Sequence, residues 1–255
     1  MNQAAHRRHD LSDHQWSLIE NHLPGRKGSR GGQARDNRQF INAVFWILRT
    51  GAPWRDLPPD YGGWSNTHRR FIRWRNKGVW TKLMLTLSGE KDMEWLMIEA
   101  THIKVHPHAA GAKGGNEAMS RTKGGLNTKL HLAVGALGMP LRFVLSEGSA
   151  ADCRFAEDLI AGIQAEKLLA DKAYDTDAIR NLAASLGMEA LIPSKTNRKQ
   201  ALPFDRYLYR YRHLVENRFL DFKPWRGIAT RYAKRAASFV AAVEIRIMAM
   251  WLRVL

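Results

Sequence analysis

Cysteine is nearly missing from this chain of 255 residues, where Cys153 stands alone. That excludes a disulfide framework and a cysteine-ligated zinc cluster. Acidic residues are scarce: 24 Asp and Glu face 40 Lys and Arg, for a formal net charge of +16. The matching pI is near 10.3. An acidic partner surface is therefore the expected target, and nucleic acid is the commonest polyanion. No long uninterrupted apolar run occurs either. The most apolar stretch, 236–255, is broken by Glu244, Arg246 and Arg253, so it reads as a packed or partner-facing helix and not as a membrane span. Nothing apolar follows the opening Met-Asn-Gln-Ala-Ala-His-Arg-Arg, so no secretory leader is expected and a cytoplasmic location follows. Internal repeats are also absent. What remains is ordinary for a globular protein: 45% of residues are hydrophobic, which argues against wholesale disorder. The length suits one large or two small domains and allows about 70–75% of the unfolded surface to be buried.

The positive charge is uneven. Residues 1–89 carry 15 basic and 6 acidic side chains, and residues 90–255 carry 25 and 18. The shorter segment is the more basic per residue, and Leu-Ser-Gly-Glu-Lys-Asp around Gly89 suggests a boundary, giving domains 1–89 and 90–255. The first segment reads as helical. Asp10-Leu-Ser-Asp opens one helix, and 25–32 is a basic, glycine-rich loop. From Asn37, the apolar residues Phe40, Val44, Ile47 and Leu48 recur at helical spacing until Gly51-Ala-Pro. A turn rich in Pro and Gly follows, and Ser65 is the expected N-cap of a helix over 66–76. On that helix Arg69, Arg70, Arg73 and Lys77 share an arc of about 100°. Helix, turn and basic helix is the outline of a helix-turn-helix module, with these four side chains gripping DNA; the alternative is a solvated face on a small bundle.

The second segment alternates strands and helices. Trp95-Leu-Met-Ile is a continuous apolar run, as in a strand buried on both faces. Leu130, Leu132 and Val134 alternate with other residues, as do Leu141, Phe143 and Leu145 beyond the turn Gly138-Met-Pro. Ser149 is the expected cap of a helix through Ile163, and Leu168-Leu-Ala is a short buried strand. Asp175 is the expected cap of a helix ending at Gly187, and Ala190-Leu-Ile-Pro is a last strand. This order predicts an α/β fold: a mixed sheet with helices on both faces, preceded by a small all-helical domain.

Carboxylates end two of the apolar runs, Glu99 after Trp95-Leu-Met-Ile and Asp171 after Leu168-Leu-Ala. An ionised carboxylate there is costly unless paired or bound to a cation. Strand ends are also where α/β sheets hold ligands, so converging carboxylates suit hard divalent ions such as Mg²⁺. The alternative is that each caps a turn or pairs with Lys or Arg. Further on, Tyr209, Arg212, Glu216 and Lys223 fall in a stripe about 60° wide if 209–223 is one helix. A carboxylate among cations can hold a metal while its neighbours hold phosphates; incidental i,i+4 pairing is the competing explanation. The loop from His106 to Gly125 is rich in glycine and holds several basic residues. His106 and His108 lack the further ligands that a zinc site needs.

The spacing Tyr209-x2-Arg212-x3-Glu216-x6-Lys223 resembles the Y-R-E-K signature of bacterial insertion-sequence transposases of the DDE type, in the insertion-sequence-five family. Residues 98–115 resemble that family's first catalytic strand and following loop, and 169–175 its second. Trp54-Arg-Asp-Leu-Pro-Pro and Trp64-Ser-Asn-Thr-His-Arg-Arg-Phe-Ile-Arg-Trp resemble its N-terminal helical domain. The likeness covers nearly the whole chain. It implies a ribonuclease-H-like catalytic domain whose acidic triad falls on Glu99, Asp171 and Glu216. It also implies two Mg²⁺ ions per site, with Mn²⁺ able to substitute. Tyr209, Arg212 and Lys223 would contact DNA near the cut, and the loop His106–Lys129 would track its backbone with Lys113, Arg121, Lys123 and Lys129. The implied partners are double-stranded DNA with terminal inverted repeats, target DNA and a second subunit, in the bacterial cytoplasm at the nucleoid. One departure stands out: the first triad position, normally Asp, is Glu99. The added methylene moves the carboxylate by about 1.5 Å on a fixed backbone, and a misplacement near 1 Å can cost about 100-fold in rate. Weakened catalysis with fold and DNA binding intact is therefore expected. The rival readings are a catalytically defective DNA-binding protein derived from a transposase, and a general ribonuclease-H-like nuclease.

Overall fold

The computed structural model describes residues 9–26, 32–89, 93–112 and 117–255. Two compact units emerge. One holds the residues through Ser88 together with Pro224–Leu255, and the other holds Gly89–Lys223.

In the first unit, α1 (Asp13–Ile19) starts at a capping box in which Ser12 and Gln15 satisfy each other's backbone N–H groups. Asp36 caps α2 (Asn37–Thr50), accepting from the Gln39 N–H at 2.8 Å. The helix stops at Gly51, whose φ of +70° is left-handed; a Cβ there would meet the Arg226 Cβ at 3.1 Å. After two proline-led 3-10 turns come α3 (Trp64–Asn76) and α4 (Val79–Ser88). Gly63, not Ser65, is the N-cap of α3, so the helix begins two residues before the sequence expectation. Packed rings hold these helices together: Phe40 lies edge-on to Trp74 at 4.9 Å, and Trp74 sits 5.0 Å from Trp80. Such pairs add about 0.5–1.5 kcal/mol each beyond area burial.

The second unit begins with β1 (Met93–Val105), β2 (Ser120–Thr122), β3 (Gly125–Gly135) and β4 (Pro140–Glu147). Next are α5 (Ala156–Ile160), β5 (Ala165–Ala170), α6 (Asp177–Ser185) and β6 (Glu189–Leu191). β1 is central: β3 pairs with it antiparallel, Glu99 opposite Leu132, and β5 pairs with it parallel, Ile98 opposite Ala170. β6 extends the parallel side, and β4 and β2 both pair with β3. Antiparallel strands followed by parallel ones about a central first strand form the ribonuclease-H-like mixed sheet. One face packs α5 and α6 over Leu96, Ile98, Leu168 and Ala170.

Three local expectations fail here for identifiable reasons. The helix expected over 149–163 is a 3-10 turn followed only by α5, because the Ser149 Oγ is engaged by the Ser120 Oγ at 2.9 Å instead of capping. Thr176 caps α6, since Asp175 is buried in an ion cluster. The segment expected as one helix over 209–223 is α7 (Arg206–Tyr209), a 3-10 turn over Arg210–Arg212, and α8 (His213–Leu220).

The chain then returns to the first unit with α9 (Arg226–Ala229) and α10 (Ala236–Trp251). The sequence reading placed 224–255 with the second domain; packing groups it with the first. A helix apolar on every side must be enclosed, and α10 is buried from Ala241 through Trp251. Its Glu244 accepts from the Thr81 hydroxyl on α4 at 2.6 Å, while burial raises the Glu244 pKa. Enclosed in this way from Ala241 through Trp251, α10 is a core helix. Among the described residues no helix is long and apolar enough to cross a membrane.

Candidate active site

The parallel register of β1 and β5 decides where two carboxylates go. With Ile98 opposite Ala170, and both of these pointing into the α5–α6 core, the next residues, Glu99 and Asp171, point to the other face, because strand side chains alternate. Asp171 is also the N-cap of a 3-10 turn, its Oδ1 accepting from the Lys172 N–H at 2.6 Å. The third carboxylate arrives on α8. The 3-10 turn before that helix brings side chains three residues apart into line, which sets the Arg212 guanidinium 5.6 Å from the centre of the Tyr209 ring.

Arg212 is the hub of the cluster. It donates to Glu99 Oε2, and its second terminal nitrogen donates to Glu216 Oε1 at 2.6 Å. Glu99 Oε1 accepts from the Ala100 N–H at 2.9 Å. The Glu99 side chain is only 16% exposed and that of Glu216 51%. Burial raises the Glu99 pKa, and the charges of Asp171 and Glu216 push the same way against the Ala100 N–H and Arg212. Burial also raises the Tyr209 pKa, with Asp171 and Glu99 adding to it. Tyr174, on the turn after Asp171, is fully buried, and its hydroxyl has no hydrogen-bond partner among the described residues.

The structure thus brings Glu99, Asp171, Tyr209, Arg212 and Glu216 together and leaves Lys223 outside, beyond the end of α8 and exposed. Pairing with Arg, weighed as the alternative for each carboxylate, is present for Glu99 and Glu216. Among the described residues no group of three or more His, Cys, Asp or Glu side chains is arranged to hold a metal ion. The cationic place between Glu99 and Glu216 is taken by Arg212. Three carboxylates without thiol or imidazole remain a donor set that fits a hard, oxygen-seeking divalent ion.

The expected DNA contacts divide. Arg69, Arg73 and Lys77 are exposed on α3, whereas Arg70 turns inward. Its guanidinium lies 4.2 Å from the Phe40 ring centre and 5.0 Å from that of Trp74, and donates to Asn37 Oδ1 and the Asp36 carbonyl. Burial lowers its pKa, as does the neighbouring Arg73. Arg121 and Lys123 are exposed at the β2–β3 hairpin; Lys113 lies outside the described residues. Lys129 is a correction: it is buried on β3, donating to Asp152 Oδ1 at 2.8 Å and the Ala150 carbonyl at 2.7 Å. The His106 and His108 rings meet edge to face at 4.6 Å, and His106 Nδ1 accepts from the His108 N–H.

Residues 11–84 match the family described as "Putative transposase of IS4/5 family", and residues 90–252 match the one described as "Transposase DDE domain". The chain is a member of the IS4/5-family DDE transposases. Curated relatives agree. A protein of Brucella ovis described as "Putative transposase for insertion sequence element IS6501" is 35% identical over 130 residues, 50% of this chain and 100% of that one. The uncharacterized protein y4sN of Sinorhizobium fredii is 40% identical over 115 residues, 45% of this chain and 86% of its own length. The piggyBac transposase, solved by cryo-EM as a synaptic complex with hairpin DNA, has a similar fold: the TM-score is 0.57 at 10% identity, over 93% of this chain and 70% of that one.

Proposed function

We propose that this transposase binds the terminal inverted repeats of its insertion sequence and cleaves and joins DNA at the Glu99–Asp171–Glu216 edge. The observation that carries the reading is the convergence of these three carboxylates, distant in sequence, around Arg212. Glu99, Asp171 and Glu216 would hold Mg²⁺ or Mn²⁺, whose chemistry is to lower the pKa of a bound water and to stabilise a leaving oxygen. The protein's own task is positioning and charge, as in other phosphoryl transfers. Arg212 and Tyr209 would orient the scissile phosphate, with Lys223 farther along the same strand. A water attacks first and a DNA 3′-hydroxyl second, each in line with the bond that breaks. The exposed Arg69, Arg73 and Lys77 of α3 would grip the repeats, and Arg121 and Lys123 the adjacent backbone. Paired ends call for paired subunits.

A second reading, a DNA-binding protein with weakened catalysis, is favoured by one contact: Glu99 is long enough to reach Arg212. Metal-dependent cleavage of terminal-repeat DNA separates the two. Glu99→Asp withdraws the carboxylate by about 1.5 Å and should be the more active enzyme, by up to about 100-fold; Asp171→Asn should be inert. Where wild type cleaves, equal or lower activity of Glu99→Asp removes position 99 from the triad. Intact binding without cleavage in wild type and Glu99→Asp alike leaves the binding protein.

A further inference from the structure

The loop that follows β6 carries a site of its own. β5 and β6 are parallel, with Leu169 opposite Leu191, so both leave the sheet at the same edge. β5 runs into Asp171, and β6 runs into the segment Ser194-Lys-Thr-Asn-Arg-Lys-Gln. That segment has no regular secondary structure, yet its backbone is anchored. Asp175, four residues after Asp171 and with a side chain 1% exposed, accepts from the Lys195 N–H at 2.8 Å, from Arg180 Nε at 2.8 Å and from Arg198 Nε at 3.1 Å. Arg198 also donates to Asp177 at 2.6 Å, and Arg180 to the Ile192 carbonyl at 2.7 Å. The turn after Asp171 and the loop after β6 are thereby tied into one piece.

Beside this anchor lies a cavity of about 520 Å³, lined by Lys195, Asn197, Lys199 and Gln200 together with the Asp175–Arg198 cluster. Asp175 and Asp177 are already matched by Arg180 and Arg198. Lys195 and Lys199 are not: among the described residues neither has a carboxylate partner. The uncompensated charge of the cavity is therefore positive, next to amide side chains able to donate. Four residues of extended chain span at most about 13 Å, and phosphates of one DNA strand succeed one another every ~3.4 Å along the duplex axis. Two lysines four residues apart can thus neutralise neighbouring phosphates.

We propose that this cavity is a seat for the DNA backbone at the carboxylate edge, with Lys195 and Lys199 each neutralising a phosphate and Asn197 and Gln200 donating to phosphate or sugar oxygens. The proposal rests on the DNA reading above and deepens it. The seat acts through charge and position and carries no base specificity.

The test measures binding of the full chain to terminal-repeat duplex by fluorescence anisotropy across a salt series. In K195Q/K199Q the slope of log affinity against log salt should become shallower by nearly two, at about 0.9 per lost phosphate contact. Affinity at 0.1 M salt should fall by roughly 10- to 100-fold. K195R/K199R should keep the wild-type slope, which separates lost charge from lost fold. A wild-type slope in K195Q/K199Q, with DNA still bound, overturns the seat and leaves the transposase reading standing. No binding by the wild-type chain overturns the proposed binding of terminal repeats itself. Inorganic phosphate provides the remaining arm. If it binds the DNA-free protein and K195Q/K199Q abolishes that binding without changing the salt slope, the cavity takes a free anion and the backbone seat is refuted.

Discussion

Asp175 offers the sharpest perturbation. Its carboxylate accepts from three donor groups and is nearly inaccessible. Burial alone would push its pKa up, but hydrogen bonds from Arg198, the Lys195 N–H and Arg180 outweigh it and bring the carboxyl down to about 2. The unfolded chain titrates it near 3.9. Between those values the unfolded state binds the extra proton, so the contribution to stability is complete above about pH 4 and disappears as pH falls through 2. A shift of nearly two units corresponds to about 2.5 kcal/mol. Asp175→Asn keeps one acceptor oxygen but turns an amide N–H₂ toward donors, leaving an arginine uncompensated. Breaking a buried ion pair costs about 3–5 kcal/mol; Arg180 and Arg198 retain some solvent, at 13% and 19% exposure, so about 2–4 kcal/mol is expected. Thermal unfolding followed by the fluorescence of the nine tryptophans should show a drop in Tm of roughly 5–15 °C at pH 7, at 2–4 °C per kcal/mol. The gap between wild type and variant should close as pH falls from 4 to 2. A gap that stays constant across that range refutes the ion-cluster account.

Two contrasts on other elements follow from burial. Arg70→Ala should destabilise the protein by about 1–3 kcal/mol through lost packing on Phe40 and Trp74 and lost hydrogen bonds. Arg69→Ala with Arg73→Ala should leave Tm within about 1–2 °C and weaken binding to terminal-repeat DNA, because both side chains are exposed on the same helix. Melting curves and anisotropy together check this, and equal destabilisation by the two sets would contradict the inward turn of Arg70. Tyr174→Phe removes a buried hydroxyl without a partner, so it should be neutral or stabilising by up to about 1 kcal/mol; a loss above that in chemical unfolding would mean the hydroxyl is satisfied in solution.

Period and punctuation carried much of the fold in the sequence. Alternation at Leu130, Leu132 and Val134, and the apolar runs ending in Glu99 and Asp171, marked β3, β1 and β5, because strands buried on both faces leave little room for polar residues. Local competition was not legible. Ser149 bonds to Ser120 across the sheet, Thr176 displaces Asp175 as a cap, and a 3-10 turn interrupts the helical pattern at Arg210–Arg212. Each outcome depends on a partner distant in the chain or on a small difference between two helical windings. The basic run Ser194-Lys-Thr-Asn-Arg-Lys-Gln was not singled out in the sequence, because nothing local said that Asp175 would anchor it.

Residue order by itself determined the acidic positions, the basic α3 stripe and the family to which they belong, since side-chain type and spacing are properties of the chain. Tertiary structure decided which charges remain available. Arg70 and Lys129 are consumed internally, whereas Arg69, Arg73 and Lys77 stay exposed. The physical reason is that a buried charge must find a counter-charge or hydrogen bonds inside the protein, and only the folded chain fixes which groups come within reach.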